Sequence, residues 1–344
     1  MIVKVIKNNL FKIIVFCFIC LLFIIEKEKL NGLEIISSIG NILKRFEMNI
    51  LLVLSMIPMI RSGCGLNFGI SIGIVAGILG SVISLEFNLI NEFGIIFAFF
   101  IAIIFAIFFG LFYGFLLSKI DNMIMIISIY AGYLMISFMN IMWSCLPFKN
   151  PISVLSFRGR GLKSIISLEN YWSGILDNFL NLKIKKISIL NGSILVFIFF
   201  AILINLFFKT KLGLTLDSVG LNKDFAKKNG VDIKKIKIIS VIISSVLASI
   251  GIIIYEQNFG FIQLYESPKS FTFSSIASIL IGGANIKKAN IKNAIFGTFL
   301  FQSIIVLVSN VLNNILKSDI SEIIRTIISS GLILYAIMSK ESIN

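Results

Sequence analysis

Long charge-free stretches of Ile, Phe and Leu recur from one end of the chain to the other, and no other feature limits its fold as strongly. Of the 344 residues, 57% are hydrophobic and only 14% are charged. A soluble domain of this length has too small a core to bury so much apolar surface. Backbone groups in lipid must bond within their own segment, and no alternating strand pattern is present, so the stretches predict helices. The sequence therefore predicts an all-α polytopic integral membrane protein.

About ten apolar segments are predicted to be transmembrane. They cover residues 10–26, 49–61, 69–85, 94–118, 122–146, 188–208, 238–256, 272–284, 294–313 and 320–338. The first resembles a secretory signal, but no small-residue cleavage site follows it, so it is predicted to be an uncleaved span.

Two of these segments are too short to cross a bilayer. Segments 49–61 and 272–284 have 13 residues each, and a helix of that length rises about 20 Å against a hydrocarbon core of about 30 Å. Each runs into a break that contains glycines, which are Gly63, Gly65 and Gly69 in the first and Gly282 and Gly283 in the second. Paired interruptions in two halves of a chain predict two broken or re-entrant helical hairpins in an internal repeat. Plain turns near the surface are the alternative.

Basic residues indicate the topology, because they accumulate in cytoplasmic loops. With both termini and both breaks on the cytoplasmic side, the inside segments hold 17 basic and five acidic residues, and the remainder holds 14 basic and 12 acidic residues. This arrangement makes 147–187 an extracytoplasmic loop and 209–237 a cytoplasmic loop. The same bias explains the net charge of +14, so no nucleic-acid partner is predicted.

Polar residues within or beside the membrane segments are candidates for a solute pathway, because burying them is costly. Arg61 and Asn67 lie beside the first break, Ser71 follows one turn later, and Asn285 lies beside the second break. For Arg61 the alternative is that its side chain snorkels to the cytoplasmic headgroups.

Enzymatic chemistry is not predicted. The sequence has no histidine, no phosphate-binding Gly-x-x-x-x-Gly-Lys-Ser/Thr motif and no paired carboxylates within a segment. Cys17 and Cys20 form a Cys-x-x-Cys pair without His or acidic neighbours, so no metal site is predicted. No acidic residue is placed deep within a predicted span, which disfavours coupling to a proton or sodium gradient.

The loop 209–237 is the long polar stretch best suited to a protein partner. Asn222 is predicted to cap a short helix that runs to about Asn229, since an Asn side chain accepts hydrogen bonds from first-turn amides. Gly230 supplies the stop at the C-terminal end. Phe225 and Ala226 on this helix would be available for docking.

Three stretches resemble one family of ABC permeases, which imports branched-chain amino acids, ribose and other simple sugars, and nucleosides. Gly220-Leu221-Asn222, Ala226 and Gly230-Val231 are similar to its coupling-loop motif, and 62–69 and 281–284 with Gly297 are similar to its two glycine-rich stretches. The resemblance covers about residues 45–340. The chain departs from the family pattern at Asp217, where a basic residue is frequent, and at Asn67, where an acidic one is common.

The resemblance implies that residues 1–344 form a single membrane-embedded permease domain in the bacterial cytoplasmic membrane. The subunit would pair with a second permease copy or paralogue, recruit two cytoplasmic ATPase subunits and accept solute from an extracytoplasmic binding protein. ATP and Mg²⁺ would be bound by the ATPase, with no cofactor in this chain. The expected cargo is a small polar solute, most readily a simple sugar or nucleoside, carried by alternating access. The residues expected to couple transport to the ATPase are Gly220, Asn222, Phe225, Ala226 and Gly230.

Two other functions remain open. An ion-gradient-driven secondary transporter would share the broken helices and the repeat. A non-transporting membrane scaffold would leave the paired breaks unexplained.

Overall fold

Helices follow one another along the described residues, interrupted by a few short strands. The computed structural model describes residues 17, 19–20, 32–120, 123–155, 161–179, 182–184, 187–286, 288–316, 323, 327 and 330–331. The first half contains α1 (Gly32–Leu54), α2 (Met56–Arg61), α3 (Ile70–Glu86), α4 (Asn91–Ser118), α5 (Ile124–Cys145), β1 (Ile165–Ser167), α6 (Ile175–Asn178), β2 (Leu182–Ile184) and β3 (Ile187–Leu190). The second half contains α7 (Gly192–Lys209), α8 (Lys211–Leu221), α9 (Lys223–Lys228), α10 (Ile233–Phe259), β4 (Phe261–Gln263), α11 (Ser267–Ile281) and α12 (Ile291–Leu316).

Five of the described helices are long and apolar enough to cross a membrane. They are α4, α5, α7, α10 and the part of α12 from Ile291 to Asn310. Five predicted segments coincide with them, namely 94–118, 122–146, 188–208, 238–256 and 294–313. The predicted segment 69–85 corresponds to α3, an apolar helix of 17 residues. Segments 10–26 and 320–338 lie outside the described residues except at isolated positions, so the count of ten stays a prediction.

The segment predicted to begin at residue 49 begins much earlier, and that prediction is wrong. Helix α1 runs from Gly32 to Leu54, and α2 continues from it after Ser55, whose amide still donates to the carbonyl oxygen of Leu51 at 3.0 Å. The interruption precedes Pro58, which lacks an amide hydrogen and crowds the preceding turn. By contrast, α11 has only 15 residues, which corresponds to a rise of about 22 Å. The second segment is therefore a short helix, as predicted, and its re-entrant character stays a prediction.

The prediction of an all-α protein is confirmed, and four short strands connect helix ends among the residues that the structure describes. Strand β1 pairs antiparallel with β4, and β2 pairs antiparallel with β3. The β1–β4 pair holds the 147–187 loop against the end of α10, where the amide of Leu168 donates to the carbonyl oxygen of Gly260 at 2.9 Å. Trp172 is fully buried in the same loop. The described residues 161–179 of this loop are therefore packed against the helices, and we call this end of the bundle the loop end.

Small residues allow close packing among α3, α4 and α10. A Cβ atom at Gly73 would lie 2.5 Å from the carbonyl oxygen of Ser245, and one at Gly77 would lie 2.2 Å from Cγ2 of Ile252. Such distances are below van der Waals contact, so these positions need glycine. Helices α3 and α10 therefore approach each other at backbone distance.

Candidate functional site

The first break ends α2 with a Schellman cap. Gly63 has φ +77°, and its amide donates to the carbonyl oxygen of Ile60 at 3.2 Å. The next amide, of Cys64, donates to the carbonyl oxygen of Met59 at 3.1 Å. This pair of bonds requires a residue in the left-handed region, which glycine adopts at no steric cost.

The second break ends α11 with the same cap. Gly283 has φ +85°, and its amide donates to the carbonyl oxygen of Leu280 at 2.9 Å. The amide of Ala284 donates to the carbonyl oxygen of Ile279 at 3.2 Å. Both breaks thus end a helix with the same cap, which is a common helix ending, and the internal repeat stays a prediction.

The two breaks meet at the end of the bundle opposite the loop end, which we call the break end. A Cβ atom at Gly65 would lie 3.4 Å from Cγ2 of Ile286, so the first break contacts the second. Gly65 itself has φ +80°. Both breaks therefore lie together at the break end, although their glycines are far apart in sequence.

Asn67 is fully buried, and both the nitrogen and the oxygen of its side-chain amide form hydrogen bonds. Nδ2 donates to Oγ of Ser244 at 2.8 Å, and Oδ1 accepts from the hydroxyl of Tyr113 at 3.1 Å. Ser244 in turn donates to the carbonyl oxygen of Ser55 at 2.7 Å. Asn67 thus joins the first break to α4, α10 and the α1–α2 junction. Its role in a solute pathway stays a prediction.

The other predicted pathway residues are divided between the interior and the surface. Ser71 is buried, and α5 packs so closely on it that a Cβ atom at Gly132 would lie 2.7 Å from its Oγ. Asn285 is exposed and forms a tight turn with Lys288 through backbone bonds of 2.8 and 3.2 Å. Asn67 and Ser71 therefore share the interior beside the first break, whereas Asn285 lies at the surface of the break end.

Arg61 is held by an ion pair with Asp217 of α8. Its Nε donates to Oδ1 of Asp217 at 2.6 Å, and its Nη2 donates to Oδ2. The guanidinium carbon also lies 3.7 Å from the ring centroid of Phe208. The side chains of the pair are 25% and 23% exposed. Sequence reasoning offered snorkelling or a pathway position for Arg61 and missed this partner, which lies 156 residues away.

Backbone contact accompanies this ion pair. A Cβ atom at Gly220 would lie 1.9 Å from the carbonyl oxygen of Arg61, and one at Gly63 would lie 3.1 Å from Cα of Gly220. Helix α8 therefore presses directly on the last turn of α2 and on its cap. A cleft of about 230 Å³ opens beside this contact, lined by Arg61, Asp217, Leu221, Lys288, Ala289 and Asn290.

The polar loop 209–237 folds into two short helices. Asn222 caps α9 as predicted, because its Oδ1 accepts from the amide of Phe225 at 3.0 Å. Gly230, with φ +77°, ends α9, and the amide of Val231 donates to the carbonyl oxygen of Ala226 at 3.1 Å. The predicted helix and its stop are confirmed. Sequence reasoning missed α8, whose cap is Thr210.

The two residues expected to dock a partner differ in exposure. Phe225 is 61% exposed, whereas Ala226 is 1% exposed and packs inside its own chain. Leu221 is also exposed, at 66%. Leu221 and Phe225 are therefore exposed apolar side chains where α8 meets α9, and Ala226 is packed beneath them. The coupling role of this segment stays a prediction.

Buried carboxyl groups lie toward the loop end, and sequence reasoning did not find them. Glu256 of α10 is 2% exposed. One of its oxygens accepts from Oγ of Ser81, and the other has no hydrogen-bond partner among the described residues. Glu47 of α1 is also 2% exposed and accepts from Nδ2 of Asn191 at 3.1 Å. Glu256 lies near the end of α10, and α1 is not among the five described helices long and apolar enough to cross a membrane, so the absence of acidic residues deep within a span stays a prediction.

An ion pair near this cluster links α1 to the loop end. Nζ of Lys44 lies 3.7 Å from Oδ2 of Asp177. Burial raises the pKa of the Asp177 carboxyl above its ordinary value, and the charge of Lys44 offsets part of that effect. No group of three His, Cys, Asp or Glu side chains suited to a metal ion occurs among the residues that the structure describes.

Comparisons with known proteins give one family. Residues 38–338 match the profile of the family described as the permease component of branched-chain amino acid transport systems. A nucleoside ABC transporter permease protein, NupB, of Lactococcus lactis subsp. cremoris is 32% identical over 118 residues, 33% of this chain and 29% of that protein. A tyrosine transport system permease protein of Clostridioides difficile is 37% identical over 113 residues, 31% of this chain and 38% of that protein. The matches thus span well under half of each relative. No solved structure matches.

Proposed function

Because the chain belongs to the family of permease components of branched-chain amino acid transport systems, we propose that it is the membrane-spanning subunit of an ATP-driven importer. It is an integral membrane protein, with five described helices long and apolar enough to cross a bilayer. The subunit would move a small polar solute between two arrangements of its helices, and neither arrangement requires a catalytic residue in this chain.

The contact between α8 and the first break is the observation that carries this proposal. An importer of this type needs a surface that receives movement from an ATPase and a path for that movement into the bundle. The exposed Leu221 and Phe225 supply the surface. The Arg61–Asp217 pair and the packing of Gly220 on Arg61 supply the path.

The proposed ATPase partner is inferred from a motif that the sequence lacks. It has no phosphate-binding motif of its own, so hydrolysis of ATP would be carried out by separate cytoplasmic subunits with their own Mg²⁺. A second permease copy or paralogue would complete the pathway, and an extracytoplasmic binding protein would deliver solute to the loop end. This assignment places both breaks and the segment 209–237 on the cytoplasmic side of the bacterial inner membrane, in keeping with the excess of basic residues there.

The solute is proposed to be a nucleoside or a simple sugar. The relative named as a nucleoside permease supports the first choice. The relative named as a tyrosine permease keeps amino acids as the alternative class. Uptake of labelled uridine, ribose and tyrosine by cells with and without this chain would separate the three.

A gradient-driven carrier is the second candidate, and Glu256 is the observation that favours it. A buried carboxyl group in a spanning helix, with one oxygen unpartnered among the described residues, is a common feature of proton-coupled carriers. Uptake by cells treated with an ionophore, which dissipates the proton gradient, separates the two functions. An importer driven by ATP keeps its uptake when the proton gradient is dissipated and cellular ATP is maintained, whereas a proton-coupled carrier loses it.

Affinity purification tests the proposal directly. The tagged chain would be extracted from its native membrane in mild detergent, and the proteins retained would be identified by mass spectrometry. A retained ATPase subunit supports the importer. A preparation that contains only this chain, also after mild cross-linking, contradicts it.

A further inference from the structure

We infer that Asp217 is the positioning residue through which movement of α8 reaches the first break, and that it does so by holding Arg61. The inference rests on the proposed function and adds to it the specific link between the partner surface and the helix break. Asp217 touches neither solute nor ATP in this account, and it acts through Arg61.

The geometry of the pair suits the transmission of force. Two parallel hydrogen bonds join the guanidinium of Arg61 to the carboxylate of Asp217, so the two groups hold one relative orientation. The ring of Phe208, at the end of α7, covers the guanidinium at 3.7 Å. Both side chains are about three-quarters buried, so water and salt screen the pair less than they screen a surface pair. A shift of α8 would therefore carry Arg61 with it.

Arg61 is also the last residue of α2, and Ser62 alone separates it from Gly63 of the cap. The carbonyl oxygen of Arg61 lies against Gly220, and Gly63 lies against Gly220 as well. Oγ of Ser240, at the start of α10, donates to Oγ of Ser62 at 2.9 Å. A displacement at Arg61 therefore acts on Ser62, the one residue that separates α2 from the left-handed Gly63.

The second break is anchored differently, and this difference makes the inference specific. Nδ2 of Asn293 donates to the carbonyl oxygen of Gly282 at 2.7 Å. A Cβ atom at Gly297 would lie 1.9 Å from the carbonyl oxygen of Ser278. The second break is thus fastened to its own following helix, α12, and a cleft that Lys288 and Asn290 line lies between it and α8. Movement of α8 should act on the first break and leave the cap of the second in place.

The test uses the whole complex of this chain with its ATPase and binding protein in liposomes, and measures solute imported per ATP hydrolysed. Asp217→Asn keeps the shape of the side chain and removes its charge. It is expected to lower the transport-to-hydrolysis ratio at least about fivefold, the lower range of coupling between sites, with the ATPase subunit still bound. The exchanged pair Arg61→Asp with Asp217→Arg is expected to restore most of the ratio. Asp224→Asn, which removes the same charge from an exposed position on α9, is the matched control and should leave the ratio unchanged.

An Asp217→Asn complex with the ratio of the unaltered complex overturns the inference. If that variant does not accumulate in the membrane, Arg61→Lys takes its place, since an ammonium cannot form the two parallel bonds, and an unchanged ratio there overturns the inference equally. An unaltered chain that binds no ATPase removes the proposed function and the inference together. An unaltered complex that couples well, beside an Asp217→Asn complex that couples equally well, removes the inference alone.

Discussion

Gly220 of α8 packs against the carbonyl oxygen of Arg61 so closely that an added Cβ atom would lie 1.9 Å from it. The carbonyl oxygen belongs to the backbone and the Cβ atom would be bonded directly to Cα, so neither can rotate away as the end of a long side chain can. The end of α2 and the start of the partner surface are therefore in contact without any side chain between them, and the proposed importer depends on that contact.

Gly220→Ala should separate α8 from the first break. Overpacking of this kind costs about 1–3 kcal/mol, and the shift should lower uptake more than it lowers the amount of protein in the membrane. Gly40→Ala is the matched control, because a Cβ atom there meets nothing within 4 Å. Thermal unfolding in detergent and uptake in cells are the two measurements. Equal uptake by the two variants would contradict the account.

Phe225→Ala should weaken the association with the ATPase and leave the fold intact. The side chain is 61% exposed, and exposed substitutions change the free energy of unfolding by no more than about 0.5 kcal/mol. An aromatic anchor at an interface is worth about 2 kcal/mol or more. The measurement is the amount of ATPase retained on the tagged chain. Phe179→Ala, at an equally exposed position of the loop end, is the control, and retention that falls equally in both would show that Phe225 is no specific anchor.

Asn67→Ala should destabilise the first break. It leaves Ser244 and Tyr113 without the partners that they have at 2.8 and 3.1 Å, at a cost of about 1–3 kcal/mol for unsatisfied buried groups. Tyr113→Phe removes only the second bond and should cost less. If Asn67 also contacts solute, its replacement should change the apparent affinity for uptake while Tyr113→Phe does not, with the ATPase bound in both. Uptake kinetics that are unchanged after replacement of Asn67 would remove it from the pathway.

The Asp177 carboxyl should make the stability of the loop end depend on pH. Burial raises its pKa above the ordinary value of 3.8, so the folded state favours the protonated form. That contribution is complete below the unfolded pKa and is lost as the pH rises through the raised value. The unfolding midpoint should therefore fall, relative to that of Asp177→Asn, as the pH rises from about 4 upward. A constant difference between the two proteins across this range would contradict the prediction.

Local features of the fold were predictable because neighbouring residues determine them. The cap of α9 at Asn222 and its stop at Gly230 depend only on residues within one turn. The same holds for the glycines at Gly63 and Gly283, whose positive φ values follow from the helix ends that they close. Apolar runs such as α4 are equally visible, since their length and composition suffice.

Distant partners could not be predicted from a single sequence. Glu47 of α1 is buried, and Asn191, far along the chain, donates to it. Arg61 likewise pairs with a residue 156 positions away. From the sequence alone, each of these charged side chains is expected at the surface, because a charged group is buried only where the fold brings a partner to it.

Uptake into liposomes that contain the purified complex, with ATP supplied from inside or withheld, tests the central claim most directly. The account predicts solute accumulation that requires internal ATP and the ATPase subunit, and that continues after an ionophore has dissipated every ion gradient. Accumulation by this chain alone, driven by a proton or sodium gradient without ATP, would contradict it.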